Sequence, residues 1–293
     1  TSYKPLFVQG ILPGGQEVAV KKLSKTSTQG YEEFKNEVML TARLQHVNLV
    51  RLLGFYIDEE EQMLIYEYMP NKSLDFYIFG DLDTDPIRRY LLDWRKRIDI
   101  IEGITQGLLY LQEYSRLTII HRDIKASNIL LDNDMKPKIS DFGLYSTKSD
   151  VYSFGVLLLQ IVSGKRTSCF YGEHENLHLM DYWRVCSQLL KMSIVAYELW
   201  KEGKGMEFAD PSLDDTHSAC KLLRCMQIAL LCVQEDANDR PSVKEISSML
   251  KSDTIPISPK RPAFSTNKAE QKPNEFIMHE ESLNDATISL VAR

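Results

Sequence analysis

Residues 121–128 read HRDIKASN, and the triplet Asp141-Phe142-Gly143 begins 18 residues after Asp123. Such residues suit phosphoryl transfer, which needs a carboxylate to orient the attacking hydroxyl, cations to neutralise the phosphates and oxygen ligands to hold those cations. Asp123 can accept the hydrogen bond of the hydroxyl, and Lys125 can lie beside the transferring phosphate. Asn128 and Asp141 offer the hard oxygen atoms that Mg²⁺ prefers. The pattern predicts a phosphoryl-transfer site.

Upstream of this stretch, the first 70 residues mix strands with one helix. EVAVKKL (17–23) alternates apolar and polar residues, as a half-buried strand does, and residues 48–57 and 62–69 are strand-like as well. Residues 31–44 place apolar side chains near helical spacing, with acidic residues in the first turn. The pattern predicts a small sheet accompanied by a helix.

After Pro70 the periodicity becomes helical. Residues 91–114 form a long amphipathic pattern, and helical periodicity continues over 150–250. From about Ser252 onward the chain carries four prolines and little periodicity, which predicts a mostly disordered tail. The predicted class is therefore α+β, with a sheet-containing first part and a helical second part.

Composition excludes several classes of function. The formal net charge of −6 and the pI of about 5.6 argue against a general nucleic-acid-binding surface. No apolar run approaches the ~18 residues that a membrane span needs. The five cysteines form no CxxC pair, which favours reduced thiols in a cytosolic compartment. Because residue 1 is Thr rather than Met, we expect a fragment of a longer product.

The chain resembles the eukaryotic protein kinases, and closely the cytosolic kinase domains of plant receptor-like kinases of the S-domain and cysteine-rich receptor groups. The resemblance is carried by LQHVNLVRLLGFY, IYEYMPNKSLD, HRDIKASNILLD, KSDVYSFGVLLLQIVSGK and CVQEDANDRPSV, and by the ending NDATISLVAR. It covers nearly the whole chain from about residue 8. It implies a bilobal kinase fold with a truncated N-lobe sheet, a helical C-lobe and a largely absent activation segment.

The resemblance implies a role for each of several further residues. Lys21 would hold the α- and β-phosphates of ATP, and Glu37 would be its ion-pair partner. Tyr66 would stand at the back of the adenine pocket, with residues 67–69 as the hinge. Lys125, which follows the HRD aspartate by two residues, resembles the serine/threonine class, and Asp150 would brace the HRD backbone. The implied nucleotide-binding residues are Lys21, Tyr66, Glu67, Met69, Asp75, Asn128, Leu130 and Asp141; the implied catalytic residues are Asp123, Lys125, Lys21 and Glu37; the implied metal ligands are Asn128 and Asp141.

The implied domains are an incomplete kinase N-lobe at 1–69, a C-lobe at 70–251 and a flexible tail at 252–293. ATP and Mg²⁺, with Mn²⁺ as an alternative, are the implied cofactors, and proteins with serine or threonine acceptors are the implied substrates. Receptor kinases are the implied partners, with no nucleic acid and no membrane span in this chain. The implied location is the cytoplasm, at the plasma membrane if the chain is part of a receptor.

Three departures from the family pattern stand out. Only Gly10 is present where the family has a GxGxxG hairpin that lets backbone N–H groups approach the ATP phosphates. Only six residues separate Gly143 from Asp150, and at ~3.5 Å per residue they can bridge the gap without forming a ledge for a protein substrate. Arg122 and Arg240 would then lack their usual partners. Residues 181–195 resemble an insertion relative to the family. Our hypothesis for the missing and the extra segment is exon skipping with retained non-coding sequence, or a wrongly assembled gene model.

Three functional hypotheses follow. The first is an active serine/threonine kinase, because Lys21, Glu37, Asp123, Lys125, Asn128 and Asp141 are all present. The second is a catalytically inactive pseudokinase that acts as a nucleotide-binding or protein-interaction module, because positioning supplies most of the catalysis in this chemistry. The third is an unstable product, since the segment at 181–195 adds apolar residues, Met192 among them, that would be exposed.

Overall fold

The computed structural model describes residues 6–23, 28–58, 61–79, 90–115, 119–121, 123–141, 147–166, 181–213, 219–252 and 257–262. The chain divides into two units, Thr1–Ala263 and Phe264–Arg293, and every described residue lies in the first unit. No helix in these ranges is both long enough and apolar enough to cross a membrane.

The N-terminal part is an antiparallel sheet with one helix beside it. The described strands are β1 (Leu6–Ile11), β2 (Glu17–Leu23), β3 (Leu52–Ile57) and β4 (Gln62–Glu67), in the order β1-β2-β4-β3, and helix α1 is Thr28–Thr41. The turn between β1 and β2 is closed by a hydrogen bond from the Gly15 N–H to the Leu12 carbonyl, and Gly15 adopts a φ of 81° that favours glycine.

Two features of the sheet correct the predictions. The strand β1 was not predicted, although it pairs with all of β2 but one residue, from Leu6 opposite Lys22 to Ile11 opposite Glu17. The strand predicted at 48–57 covers only Leu52–Ile57. Its first residues pair outside the sheet, because Asn48 and Val50 exchange backbone hydrogen bonds with Ile139 at 2.8 and 2.9 Å.

The C-terminal part begins at the short helix α2 (Leu74–Ile78) and is mostly helical. Helix α3 (Trp94–Leu109) starts where the Asp93 side chain accepts a hydrogen bond from the Lys96 N–H, and a π-helical turn extends it over Tyr110–Tyr114. A hairpin of β5 (Ile129–Leu131) and β6 (Pro137–Ile139) follows. The remaining helices are α4 (Thr147–Ser163), α5 (Asp181–Lys201), α6 (Ala219–Cys232) and α7 (Val243–Lys251).

The helical core depends on close helix packing. Phe154, Leu158 and Ile161 of α4 are fully buried, as the apolar sequence of this segment predicted. A Cβ at Gly155 would stand 2.6 Å from the Cβ of Cys232, so glycine is what lets α4 approach α6 this closely.

The two parts of the unit meet at Asn48. Its buried side-chain amide donates to the Pro137 carbonyl at 3.0 Å. A Cβ at Gly103 would lie 2.5 Å from the Pro137 ring, and one at Gly107 would lie 2.8 Å from the Ile139 side chain. Glycines on α3 therefore make room for the junction that fixes the sheet against the β5–β6 hairpin.

Three expectations about the surface need correction. Met192 was expected to be exposed, but α5 packs it fully into the helical core. Arg240 was expected to lack a partner, but its guanidinium donates to the carbonyls of Gln234 and Glu235 at 2.7 and 3.0 Å and lies 5.0 Å from the Tyr152 ring centre. Residues 257–262 belong to the segment predicted as a flexible tail, but the Ile257 carbonyl accepts a hydrogen bond of 3.4 Å from the Gln227 amide of α6. The domain boundaries remain predictions.

Candidate active site

A cavity of about 340 Å³ lies between the sheet and the β5–β6 hairpin. Its walls combine apolar side chains of β2 and β5 with charged groups of β2, α1 and the segment after β6. The residues that line it are Phe7, Ala19, Lys21, Glu37, Val50, Tyr66, Glu67, Tyr68, Met69, Lys72, Ser127, Asn128, Leu130, Ser140 and Asp141.

Lys21 joins two acidic side chains in this cavity. Its Nζ lies 2.9 and 3.0 Å from the two carboxylate oxygens of Glu37 and 2.8 Å from Oδ1 of Asp141. Only 6% of Lys21 is exposed, whereas the Asp141 side chain is 52% exposed. Lys21 of β2 and Glu37 of α1 thus form the predicted ion pair, and the Asp141 carboxylate, which follows β6, contacts the same ammonium.

The charges of this cluster reinforce one another. Burial on its own would lower the pKa of Lys21, but the carboxylates of Glu37 and Asp141 outweigh burial and raise it above its ordinary value. Burial likewise opposes ionisation of Asp141, yet the Lys21 ammonium lowers the pKa of Asp141 below its ordinary value. The ammonium and the Asp141 carboxylate therefore both stay ionised at neutral pH.

Tyr66, at the end of β4, stands next to this cluster. Its hydroxyl donates a hydrogen bond of 2.5 Å to Oε1 of Glu37, and burial together with the Glu37 charge raises the pKa of Tyr66. Glu37 therefore accepts from both β2 and β4, which fixes the α1 helix against the sheet. The family resemblance predicted Tyr66 only as a residue at the back of the adenine pocket, without this contact to Glu37.

The segment predicted as the hinge follows β4 along the cavity. The Glu67 carboxylate accepts from the Arg51 N–H at 2.8 Å and pairs with the Lys138 ammonium at 3.0 Å, so it is held in place by both parts of the unit. Tyr68 and Met69 line the cavity behind it, and Met69 is buried.

Asp123 lies at the centre of a second polar cluster. Its Oδ2 accepts from the Lys125 ammonium at 2.5 Å and from the Asn128 amide at 3.0 Å. The Asn128 amide also donates to the Asp123 carbonyl at 2.8 Å, which locks the loop against the 3₁₀ turn Ala126–Asn128. Half of the Asp123 side chain is exposed, so a ligand can reach its carboxylate.

Buried polar contacts support this loop from below. The His121 N–H donates to Oδ2 of Asp150 at 2.8 Å, and the His121 ring contacts the Ser140 carbonyl at 2.7 Å. Burial lowers the pKa of His121 despite the nearby carboxylates, so its ring is neutral at pH 7. The Asp150 side chain connects α4 to the HRD backbone, as its position in the sequence suggested.

The structure brings most of the predicted residues together. Lys21, Glu37, Tyr66, Glu67, Met69, Asn128, Leu130 and Asp141 all line the cavity. Asp123 and Lys125 contact Asn128 or each other beside it. Asp75 is not among the lining residues, and its carboxylate accepts from the Ser73 hydroxyl at 2.5 Å. Arg122, Phe142 and Gly143 lie outside the described residues.

Sequence reasoning missed several lining residues, of which Phe7 and Lys72 are the most distinctive. A signal for Phe7 was available, because the apolar run LFV stands before the turn LPGGQ and the strand EVAVKKL after it, an arrangement typical of a hairpin. Lys72 gave no such signal. It adopts a left-handed φ of 57°, and its ammonium lies 3.9 Å from the Phe76 ring centre.

The donor groups of the site suit a partly hydrated cation. No cluster of three or more His, Cys, Asp or Glu side chains that could hold a metal occurs within the described ranges. Asn128 and Asp141 are nevertheless hard oxygen ligands on the cavity wall, and the Asn128 nitrogen is turned to Asp123, which leaves its oxygen for another partner. A pair of this kind fits Mg²⁺ that shares its remaining positions with water and phosphate oxygens.

Comparison with known proteins gives one consistent result. The family model described as "Protein tyrosine and serine/threonine kinase" matches residues 9–147. The chain is 44% identical to the G-type lectin S-receptor-like serine/threonine-protein kinase CES101 of Arabidopsis thaliana over 330 residues, which cover 99% of this chain and 36% of that protein. It is 46% identical to cysteine-rich receptor-like protein kinase 10 of the same plant over 289 residues, or 87% of this chain and 40% of that protein.

Among solved structures, the chain is similar to the pseudokinase domain of BIR2, an immune regulator of the RLK/Pelle family. That match has a TM-score of 0.66 and 26% identity, and it covers 86% of this chain and 79% of the other. The chain spans less than half the length of the curated relatives described above. The alignment with the lectin-type relative has 330 positions and the chain has 293 residues, so at least 37 positions hold no residue of this chain.

Proposed function

The chain belongs to the protein tyrosine and serine/threonine kinase family, and from that premise we propose that it binds Mg-ATP in its cavity and transfers the γ-phosphoryl group to serine or threonine hydroxyls of proteins. In this reaction the hydroxyl oxygen forms a bond to the γ-phosphorus while the bond from that phosphorus to the β–γ bridging oxygen breaks. The hydroxyl proton leaves toward a carboxylate, and ADP departs with the electron pair.

Each charged side chain of the two clusters has a part in this proposal. The Lys21 ammonium binds the α- and β-phosphates, and Glu37 keeps it oriented through two hydrogen bonds. The exposed Asp123 carboxylate accepts the hydrogen bond of the attacking hydroxyl, and Lys125 stands beside the transferring group. Asn128 and Asp141 would hold Mg²⁺, with Mn²⁺ as an alternative; when bound, the metal neutralises charge on the phosphate oxygens.

One observation supports the proposal most. The Lys21 ammonium reaches both Glu37 and Asp141 within 3.0 Å at the wall of a cavity that Asn128, a hydrogen-bond partner of Asp123, also lines. An ammonium group and a metal-ligating carboxylate in one cavity suit a polyphosphate and its cation together.

Transfer of a labelled γ-phosphoryl group from Mg-ATP to casein tests the activity. We expect transfer by the full chain, and a fall of at least a hundredfold in Asp123→Asn, which keeps the shape of the side chain but not its charge. Asp134→Asn, at an exposed turn, is the matched control and should behave as the parent. Transfer by the parent that does not exceed that by Asp123→Asn would contradict the proposal.

A pseudokinase role is the second candidate, and a specific observation favours it. Helix α4 begins at Thr147, so only five residues connect it to Asp141, and at ~3.5 Å per residue they leave no length for a substrate ledge. The similarity to a pseudokinase domain of known structure points the same way. In this version the cavity binds nucleotide, and the chain acts through protein contacts.

Thermal unfolding separates the two candidates. A rise in melting temperature with Mg-ATP, but no transfer above that by Asp123→Asn, would favour the pseudokinase.

We further propose that the chain works on the cytoplasmic side of the plasma membrane, with receptor kinases as partners. The receptor-like names of the relatives support this location. Sequencing of the transcript across Gly143–Asp150 tests whether the short connection is expressed.

A further inference from the structure

Residues 257–262, which read ISPKRP, lie against the helical part of the chain with a period of three. Pro259 and Pro262 are buried, the four residues around them are exposed, and the segment forms neither helix nor strand. Three residues per turn is the repeat of a polyproline II helix, whose backbone makes no hydrogen bonds of its own. The carbonyls of such a segment are therefore available to donors on the surface that it contacts.

Two glutamine side chains supply these donors. The Gln227 amide, on α6, donates to the Ile257 carbonyl at 3.4 Å. The Gln234 amide, just after α6, donates to the Lys260 carbonyl at 3.0 Å. Both glutamines are buried, and the carbonyls that they contact are again three residues apart. Peptide-binding surfaces work in this way, because hydrogen bonds to the main chain give affinity and pockets for particular side chains give specificity.

The segment and the surface under it carry opposite charges. The Lys260 ammonium lies 2.6 Å from Oδ1 of Asp239, and the Arg261 guanidinium lies 3.2 Å from Oε1 of Glu198 on α5. Ion pairs as exposed as these add little to stability, but complementary charges select one sequence over another. The basic pair between the two prolines is therefore the part of the segment that this surface distinguishes from other proline-containing sequences.

We propose that this surface is a peptide-binding site, the proline groove, defined by Glu198, Gln227, Gln234 and Asp239. Its ligand is an extended segment with two prolines three residues apart and basic residues between them. Residues 257–262 occupy the groove within the same molecule, and a partner protein that carries a segment of this pattern displaces them. None of the four defining residues lines the nucleotide cavity, so the inference does not depend on the function proposed above.

Fluorescence anisotropy of a labelled peptide ISPKRP, titrated with the full chain, tests the proposal. In the parent the attached segment competes at an effective concentration on the order of millimolar, so the peptide should bind weakly. Pro259→Ser together with Pro262→Ser in the chain should free the groove and tighten peptide binding at least tenfold. Lys260→Glu together with Arg261→Glu should free it as well, by repulsion from the carboxylates of the groove, while both prolines are kept.

Adding Gln234→Leu to a freed variant removes one donor of the groove and should weaken the peptide about tenfold. Gln9→Leu, an exposed glutamine of β1, is the matched control and should leave the affinity unchanged. Freed variants that bind the peptide no better than the parent would overturn the proposal. Equal binding of a peptide with serine in place of both prolines, or full affinity after Gln234→Leu, would overturn it too. Melting curves establish that the variants compared are folded.

Discussion

At the scale of single residues, Lys21 shows how a buried ammonium group stays charged. Burial alone favours its neutral form, and only the two carboxylates within 3.0 Å reverse that preference. Glu37 must therefore be held where it is, and Tyr66 helps to hold it from the neighbouring strand. The hydroxyl of Tyr66 thus acts through Glu37 on the Lys21 ammonium, the proposed phosphate-binding group.

Removing this hydroxyl should have a measurable cost. We expect Tyr66→Phe to lower the free energy of unfolding by about 1.5–3 kcal/mol, the range for a hydrogen bond to a charged partner. Urea unfolding at pH 7 measures it. In a Glu37→Gln background the cost should shrink by at least half, because the charged acceptor is gone.

Tyr56→Phe is the matched control for this measurement. Tyr56 also donates to a carboxylate, that of Asp58, but it is exposed, and we expect its loss to change the free energy of unfolding by less than 0.5 kcal/mol, as for typical surface substitutions. Equal costs for the two tyrosine variants would show that the Tyr66–Glu37 contact is not specially stabilising.

At the scale of elements, α4 connects the helical core to the loop that contains Asp123. Its first turn contains Asp150, which is fully buried and accepts the His121 N–H. The same loop continues to Asp123, whose N–H contacts the His121 ring at 3.2 Å. The start of α4 therefore determines where the Asp123 backbone lies.

Asp150→Ala should leave the buried His121 N–H without this acceptor. We expect a loss of about 1–3 kcal/mol in the free energy of unfolding, measured in urea. Nucleotide affinity should stay within threefold, because Asp150 does not line the cavity. A tenfold loss of nucleotide affinity with unchanged stability would contradict this division of roles.

The elements also show how far sequence reasoning extends. Lys21 and Glu37 could be paired in advance because a strand lysine and a helix glutamate recur in one motif. The pairing of residues 48–50 with Ile139 could not be predicted, because their apolar pattern is the same whether they join the sheet or the hairpin. Phe7 was not predicted as a cavity residue, because upstream of residue 10 only the spacing of glycines was considered. The Arg240 guanidinium donates hydrogen bonds to backbone carbonyls, and a pattern of charged residues does not predict such partners.

At the scale of the whole molecule, the helical part contains a fully buried ion pair. Arg97 of α3 contacts Oδ2 of Asp210 at 2.7 Å and donates to the carbonyls of Leu92 and Ile161. A Cβ on Gly164, whose φ is 64°, would stand 2.2 Å from the Asp210 carboxylate, so glycine leaves the room that the pair requires. Three segments distant in sequence meet there.

Loss of one partner should destabilise the chain strongly. Arg97→Met leaves the Asp210 carboxylate buried without its cation, which typically costs ~3–5 kcal/mol. Arg95→Met, on the exposed side of the same helix, is the control and should change stability by less than about 0.5 kcal/mol. Urea unfolding at pH 7 compares the two, and a small effect of Arg97→Met would show that the pair adds little.

The same pair makes stability depend on pH in acid. Burial opposes ionisation of Asp210, but Arg97 and Ser212 outweigh it and lower its pKa below the ordinary 3.8. As the pH falls, the unfolded chain therefore binds this proton first, and protonation favours unfolding. The contribution is complete above the ordinary pKa and is lost as the pH drops through the lower folded value. Urea midpoints from pH 6 to pH 2.5 should fall more steeply below pH 4 for the parent than for Asp210→Asn. The variant should be less stable at pH 7, but it has no carboxyl group that titrates at this position. Parallel curves for the two proteins would rule the linkage out.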